Sequence, residues 1–325
     1  MRGTSFTAGS LMSLRDAAFG LRFRTPRSDF RAPKIMDKPS ILVQLDTDPL
    51  PSVFDRVVAV DAGVAHTFSY GGITPENVTP LVHGCIFTRG GKDLARIAIF
   101  VGGSDVTAGE AVLAAVRKAL IPQYGLSVSV LLDSNGANTT AAAAVRAAGR
   151  HLDLSKITSL VLGGTGPVGQ RVVRLLAKAG GKVRVGSRQK DRAEAVCARV
   201  RAHVPGAGVE AVSVGSSSDA PDALDGCSLV VAAGAAGAVL LPKKHRTGAK
   251  ALRVLIDLNG VPPAGIEGVE LNDKGTDRDG LLCYGALGVG GTKMKVHKLA
   301  IAKLFESNTA VLDVEEVYNL ALQLP

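Results

Sequence analysis

The chain has 325 residues, a net charge of +9, 38 glycines, 4% aromatic residues and no tryptophan. That length suits about two domains, and the wealth of Ala, Val, Leu and Gly is the composition of parallel strands buried on both faces by helices. The longest apolar stretch, Leu229 to Leu241, is broken by Gly234 and Gly237 and is too short to span a bilayer, and four scattered cysteines without a C-x-x-C pair indicate neither a zinc site nor a disulfide framework.

Residues 1–38 carry eight Lys or Arg against three Asp, a net of +5, which leaves about +4 for the rest of the chain. That modest excess suits an anionic cofactor or substrate and argues against nucleic acid as a partner. The segment has no sustained periodicity and no apolar signal-peptide core, so it reads as a basic, disordered extension. Asp16, Asp29 and Asp37 count against a transit peptide, and Met36 is an alternative start. The free cysteines fit a reducing cytoplasm.

From Ile41 onward, strands alternate with helices, the pattern of a parallel sheet covered on both faces. Ile41 to Leu45 reads as a strand ending in Asp46-Thr-Asp48, and Pro51 to Val58 as a short helix. Thr74-Pro75-Glu76 has the N-cap, N1 proline and first-turn acid of a helix running to about His83. A strand over Ile97 to Val101 leads to a helix from Ala108 to Leu120 capped by Ser104 or Asp105. The next strand, Leu126 to Leu132, ends at Asp133-Ser-Asn135, ahead of an alanine-rich helix reaching about Arg150. Ligands bind at the carboxyl ends of strands in open α/β sheets, so the loops bearing Asp46, Asp48, Asp105, Asp133 and Asn135 should converge on one site.

The second half is organised around Ser159 to Arg171. There Gly164, Gly166 and Gly169 fall at the G-x-G-x-x-G spacing after an apolar strand and before an amphipathic helix opened by Pro167. In this reading Gly164 makes the tight turn, Gly166 lets the backbone approach a pyrophosphate, and Gly169 lets helix and strand pack closely. The turn residues Gly164, Thr165, Gly166, Pro167, Val168 and Gly169 are thus candidate cofactor contacts, facing an anion with free N–H groups. Further strands are expected at Lys182 to Val185, Val209 to Val214, Ser228 to Ala232 and Leu252 to Asp257. The second of this half's strands ends in Gly-Ser187-Arg188 with no acidic residue; Ser187 and Arg188 suit the 2′-phosphate of NADP, with NAD a weaker alternative. A second glycine-rich run, Gly285 to Lys293, opens a helix and suits either phosphate or close backbone packing. A final helix starts at the capping box Asp313-Val-Glu-Glu316.

Taken together, Gln44 to Asp48 with Pro51 to Asp55, Tyr70 to Asn77, Thr88 to Lys92, Ile99 to Asp105, Leu132 to Thr140, Gly163 to Gly169, Gly285 to Gly291 and Ile301 to Ser307 resemble one family. It is that of the NADP-dependent methylene-tetrahydromethanopterin and methylene-tetrahydrofolate dehydrogenases of bacterial one-carbon metabolism. The resemblance implies an α/β fold of two domains, an N-terminal α/β domain facing a Rossmann-type parallel-sheet NADP-binding domain across a cleft, in a homo-oligomer. On that reading residues 39–150 bind the pterin, 151–290 bind NADP, and 291–325 form helices that pack back toward the cleft. It implies reversible hydride transfer from the methylene pterin to NADP, on tetrahydromethanopterin or alternatively tetrahydrofolate, with Lys293 near the substrate and Arg188 on NADP. A non-catalytic NADP-binding sensor is the remote rival.

Removing hydride from a carbon flanked by two nitrogens leaves a delocalised amidinium, and no proton moves. The site therefore needs positioning and stabilisation of positive charge rather than a general base, and no metal site is expected. Asp48 and Asp133 are the candidates to face that charge, with Lys92 or Lys293 orienting the pterin carbonyl or an acidic tail and Asp46, Asp105 and Asn135 completing the substrate loops. No histidine falls in a loop string. The absence of Tyr-x-x-x-Lys predicts no cyclohydrolase activity.

Overall fold

The computed structural model describes residues 38–214, 219–246 and 248–325. The basic extension expected at the start of the chain lies, up to residue 37, outside the described residues. Two sheets form the frame. The first is built from β1 (Ile41–Asp46), β2 (His66–Tyr70), β3 (Ile97–Gly102), β4 (Ser129–Leu132) and, from the far end of the chain, β12 (Val311–Leu312), in the order β12-β4-β3-β1-β2. All its pairings are parallel. Its helices are α1 (Val53–Asp61), α2 (Thr79–Phe87) and α3 (Val106–Ala119).

The second sheet runs β10-β11-β9-β8-β5-β6-β7. Its strands are β5 (Thr158–Leu162), β6 (Lys182–Ser187), β7 (Val209–Ser213), β8 (Leu229–Ala232), β9 (Val254–Asp257), β10 (Lys274–Arg278) and β11 (Leu281–Tyr284). Only the β10–β11 hairpin is antiparallel. Counted from β5, the strand order reverses between β5 and β8, which is the switch point where a doubly wound sheet opens a crevice for a dinucleotide. Helices α5 (Pro167–Lys178), α6 (Lys190–His203), α7 (Asp219–Leu224) and α8 (Lys243–Arg246) flank it.

Strand alternation divides the burial cleanly. In the first sheet Val43, Leu45, Ile99, Val101, Val130 and Leu132 pack with Val82, Ile86, Val112 and Val116 of α2 and α3. The intervening Leu42, Ala98, Phe100 and Leu131 face α1 and the C-terminal helices. Those helices are α9 (Ala286–Lys303) and α10 (Val314–Leu322), so the end of the chain completes the first sheet's second face and supplies its edge strand.

Helix α4 (Ala137–Gly149) carries the chain from the first sheet to the second. Its Ala142 belongs to the first core, while Ala141, Ala143 and Ala144 belong to the second. Small side chains let neighbouring helices approach from several sides. Arg171 of α5, nearly enclosed, donates to Asn138 of α4 at 3.1 Å and Glu110 of α3 at 2.6 Å, tying the two halves together. α9 makes the return crossing, with Val289 in the second core and Val296 and Ala300 in the first.

Several elements differ from the expectations. The helix expected from Thr74 starts at Thr79, where Thr79-Pro80 repeats the Thr-Pro signal; Thr74 sits instead in a turn held by Asn77, whose side chain accepts from the Thr74 N–H at 2.8 Å. β2, β10, β11 and β12 were not expected, being short strands at or near sheet margins. The second glycine run serves close packing rather than phosphate: a Cβ on Gly285 or Gly288 would lie 2.0 Å from the Glu270 carbonyl or 1.8 Å from that of Asp273.

Candidate functional site

The cofactor side is built by the β5–α5 turn. Gly163, with φ at +71°, takes the left-handed conformation, and a Cβ there would meet Gly234 Cα at 2.4 Å. The tight-turn role thus falls to Gly163 and not Gly164, whose missing Cβ instead clears Val185 Cγ1 at 2.7 Å. Gly169 lacks the Cβ that would stand 2.3 Å from the Gly163 carbonyl, which lets α5 seat directly on the turn. Pro167 opens α5, and Gln170 closes the turn by donating to the Thr165 carbonyl at 2.7 Å. Val168 packs its side chain on the core, leaving its backbone N–H for a ligand.

A cavity of about 880 Å³ lies over this turn, between it and the Ala233–Leu240 loop after β8. Thr165, Gly166, Pro167, Ser187, Arg188, Gln189 and Arg192 line it. Its size and the glycine-cleared floor fit a dinucleotide. Ser187, at the end of β6, accepts from the Gln189 N–H at 3.2 Å and shapes the loop. The exposed Arg188 is joined one helical turn later by Arg192 on α6, which sequence reasoning missed although the i, i+4 spacing carries the signal. Two guanidinium groups, with no carboxylate among the described residues that line the cavity, fit a 2′-phosphate.

The polar loops of the first sheet converge as expected at the carboxyl ends of β1, β3 and β4, but most of their carboxylates are occupied. Asp46 is buried and accepts from the Asp48 and Ser52 N–H groups, both at 3.0 Å. Asp48 accepts from Ser104 N–H at 2.9 Å and Ser104 Oγ at 2.8 Å, clamping the β1 loop to the β3 loop. Asp105 caps α3 by accepting from Thr107 and Ala108. Asn135, with φ at +56°, donates to the Ser104 carbonyl at 3.3 Å. In this structure Asp46, Asp48 and Asn135 serve as loop clamps, and Asp105 is the helix cap that the sequence offered for α3.

Lys92 is placed elsewhere altogether. It sits exposed on the short 3-10 helix Gly91–Arg96 that precedes β3, at the amino edge of the parallel sheet. Its neighbour Asp93 pairs with Lys38 at 3.2 Å, and Arg96 donates to the Lys38 carbonyl just before β1. The carboxyl-end loops lie at the other edge, so Lys92 does not join the site.

Asp133 and Lys293 do come together, with partners from α1. Lys293 projects from α9 over the Phe54 ring at 4.3 Å, and its Nζ lies near the backbone of Gly136 in the Asp133 loop. Asp55, one residue after Phe54, retains partial exposure, whereas the Asp133 carboxylate is wholly enclosed and accepts from Thr139 N–H at 3.0 Å and Thr139 Oγ1 at 2.7 Å. Asp133 is therefore enclosed in this structure, while Asp55 is the more exposed of the two carboxylates. Burial raises both acids, Asp133 to about 6, while the Lys293 ammonium opposes the rise in each. His297, one turn beyond Lys293, lies between the two carboxylates. The missed pair, Asp55 and His297, left a faint signal: Asp55 ends the Pro51 to Asp55 string, and His297 shares a helical face with Lys293.

A parallel sheet with a glycine turn and an arginine-lined crevice of dinucleotide size are the marks of a nicotinamide-dependent oxidoreductase. The N-terminal signature of methylene-tetrahydromethanopterin dehydrogenase matches residues 53–135. Over 288 residues the chain is 44% identical to "Bifunctional protein MdtA" of Methylorubrum extorquens, covering 87% of this chain and 98% of that protein. It is 29% identical to the same organism's "NAD(P)-dependent methylenetetrahydromethanopterin dehydrogenase", covering 88% and 98%. The chain belongs to the methylene-tetrahydromethanopterin dehydrogenase family. Among solved structures it is similar to shikimate 5-dehydrogenase from Listeria monocytogenes, with 12% identity, a TM-score of 0.49, and coverage of 88% of this chain and 98% of that one.

Proposed function

We propose that the protein transfers hydride reversibly from methylene-tetrahydromethanopterin to NADP, giving the methenyl form. The observation that carries this reading is the glycine-turn crevice rimmed by Arg188 and Arg192, and Lys293, seated over Phe54 and acting on the Asp55 carboxylate, supports it from the first sheet. When bound, the nicotinamide supplies the hydride acceptor. The glycine turn and α5 hold the pyrophosphate, and the two arginines hold the 2′-phosphate.

The donor carbon loses a hydrogen with both bonding electrons and becomes part of an N–C–N cation; no proton changes hands. Asp55, partly buried and ionised, faces that growing positive charge and lowers its cost in a site of reduced dielectric. Lys293, steadied over Phe54, orients a carbonyl or an anionic group of the pterin without meeting the cation head-on. The first sheet with its C-terminal helices holds the pterin, and the second sheet holds NADP. A homo-oligomer in the cytoplasm completes the reading, and the exposed Val53, Val57 and Val60 on one side of α1 support the oligomer. No described helix is long and apolar enough to cross a membrane.

The test is a steady-state matrix of two carriers, tetrahydromethanopterin and tetrahydrofolate, against NADP and NAD. The highest kcat/KM is expected for the methylene-tetrahydromethanopterin and NADP pair. Absence of turnover with either carrier, or faster turnover of the folate, would overturn the assignment.

A further inference from the structure

His297 is a buried titratable group that the hydride transfer does not use. Its ring is fully enclosed, stacked on Phe100 with 5.7 Å between centroids and 20° between planes, and tilted against Phe54 at 6.3 Å. Neither ring nitrogen has a hydrogen-bond partner. Each faces one carboxylate: Nε2 lies 4.0 Å from Asp55 Oδ1 and Nδ1 lies 4.0 Å from Asp133 Oδ2. Polar atoms sealed from water are costly when left bare, so this arrangement calls for an account.

A neutral imidazole offers one N–H and one lone pair. Between two ionised carboxylates it can satisfy only one, and its lone pair would meet the other. A single proton on one carboxylate removes the conflict. Asp133 is the better holder, since its carboxyl group is wholly enclosed while that of Asp55 keeps partial exposure. Thr139 accommodates the change: its Oγ1 is 2.7 Å from Asp133 Oδ2 and 3.3 Å from the Gly136 carbonyl, so the hydroxyl can donate to either.

We propose that His297 is a positioning residue in a one-proton chain, with the Asp133 acid donating to Nδ1 and the Nε2–H donating to ionised Asp55. The chain fixes the Asp55 carboxylate in one orientation and keeps its charge at the cleft. This rests on the hydride-transfer reading of the same site. The charged groups facing the ring are Asp55 from α1, Asp133 from the loop after β4 and Lys293 on α9 itself, while Asp46 at the end of β1 acts on Asp55. Lys293 disfavours a second cation beside it, and burial pushes His297 down to about 3. The two 4.0 Å separations are about an ångström beyond hydrogen-bonding distance, and modest side-chain rotations of Asp55 and of the imidazole bring both within it.

Two measurements test the chain. Nitrogen-15 NMR of the free full-length protein should show the His297 ring protonated on Nε2 below about pH 6, where Asp133 holds its proton, and never doubly protonated between pH 5 and pH 9. A ring that gains its second proton near the ordinary value of about 6.5 overturns the proposal. For the methylene-tetrahydromethanopterin reaction, His297→Leu should move the acid limb of kcat/KM up by about one pH unit, a tenfold change in the proton affinity of Asp55. His297→Gln, whose amide supplies both a donor and an acceptor, should restore the limb. Superimposable limbs for wild type and His297→Leu refute the chain. Should His297→Leu fail to fold, the wild-type ring signals and the His297→Gln limb decide. If wild type turns over neither carrier, the function is wrong while the NMR result still judges the chain.

Discussion

Asp133→Asn should make the protein's stability respond differently to pH, and the size of the effect follows from the burial of one carboxyl group. Asp133 rises from 3.8 to about 6 because it is wholly enclosed, against the opposing pull of Lys293 and the Thr139 hydrogen bonds. An acid whose folded pKa is raised stabilises the fold fully below its unfolded value, and that contribution is lost as pH rises through the folded value. At about 1.36 kcal/mol per pK unit the full effect is about 3 kcal/mol, of which about 1.5 kcal/mol develops between pH 5 and pH 8. Asparagine keeps the shape, accepts from the Thr139 N–H and cannot ionise, so its fixed cost cancels between the two pH values. To first order, so do the contributions of other groups. Urea unfolding followed by far-ultraviolet circular dichroism, suited to a chain without tryptophan, should show wild type losing about 1.5 kcal/mol relative to Asp133→Asn on going from pH 5 to pH 8. A difference that stays flat, or moves the other way, would refute the argument from burial.

Arg188→Ala and Arg192→Ala should each raise the KM for NADP by roughly ten- to a hundredfold, the loss of a charged hydrogen bond of about 1.5–3 kcal/mol, while sparing NAD; equal effects on both cofactors would remove the arginines from the phosphate. Lys293→Ala should lower turnover or pterin affinity and leave NADP affinity intact in calorimetry, and unchanged kinetics would take Lys293 out of the site. Gly169→Ala should abolish NADP binding in the same assay, because the new Cβ would stand 2.3 Å from a backbone carbonyl that cannot yield without lifting α5 from the turn. Normal affinity in that variant would show that the turn is slacker than its geometry.

Much of the frame was legible because it is written locally. A strand, a glycine turn and an amphipathic helix follow one another between Thr158 and Lys178, and the buried strands announce themselves as apolar runs. The margins were not: β2 reads His-Thr-Phe-Ser-Tyr with alternate residues exposed, and β12 has two residues, so neither carries an apolar signal. The site was legible in position but not in assignment. Asp46, Asp48 and Asp105 look like ligands in sequence, yet backbone N–H groups and a serine claim their oxygens once the loops close. Asp55 and His297 are far apart in sequence, and only the packing of α9 against α1 and β3 makes them neighbours.

The double crossing of the chain has a mechanical consequence. A single tether lets two bodies twist and slide; two packed crossings, α4 outbound and α9 inbound, resist both. Lys293 rides on the inbound helix and sits over Phe54 of α1, so its place is set by the core that α9 shares with the first sheet. The spacing of the lysine and its neighbouring carboxylates is thus a property of one packed core and not of a mobile loop.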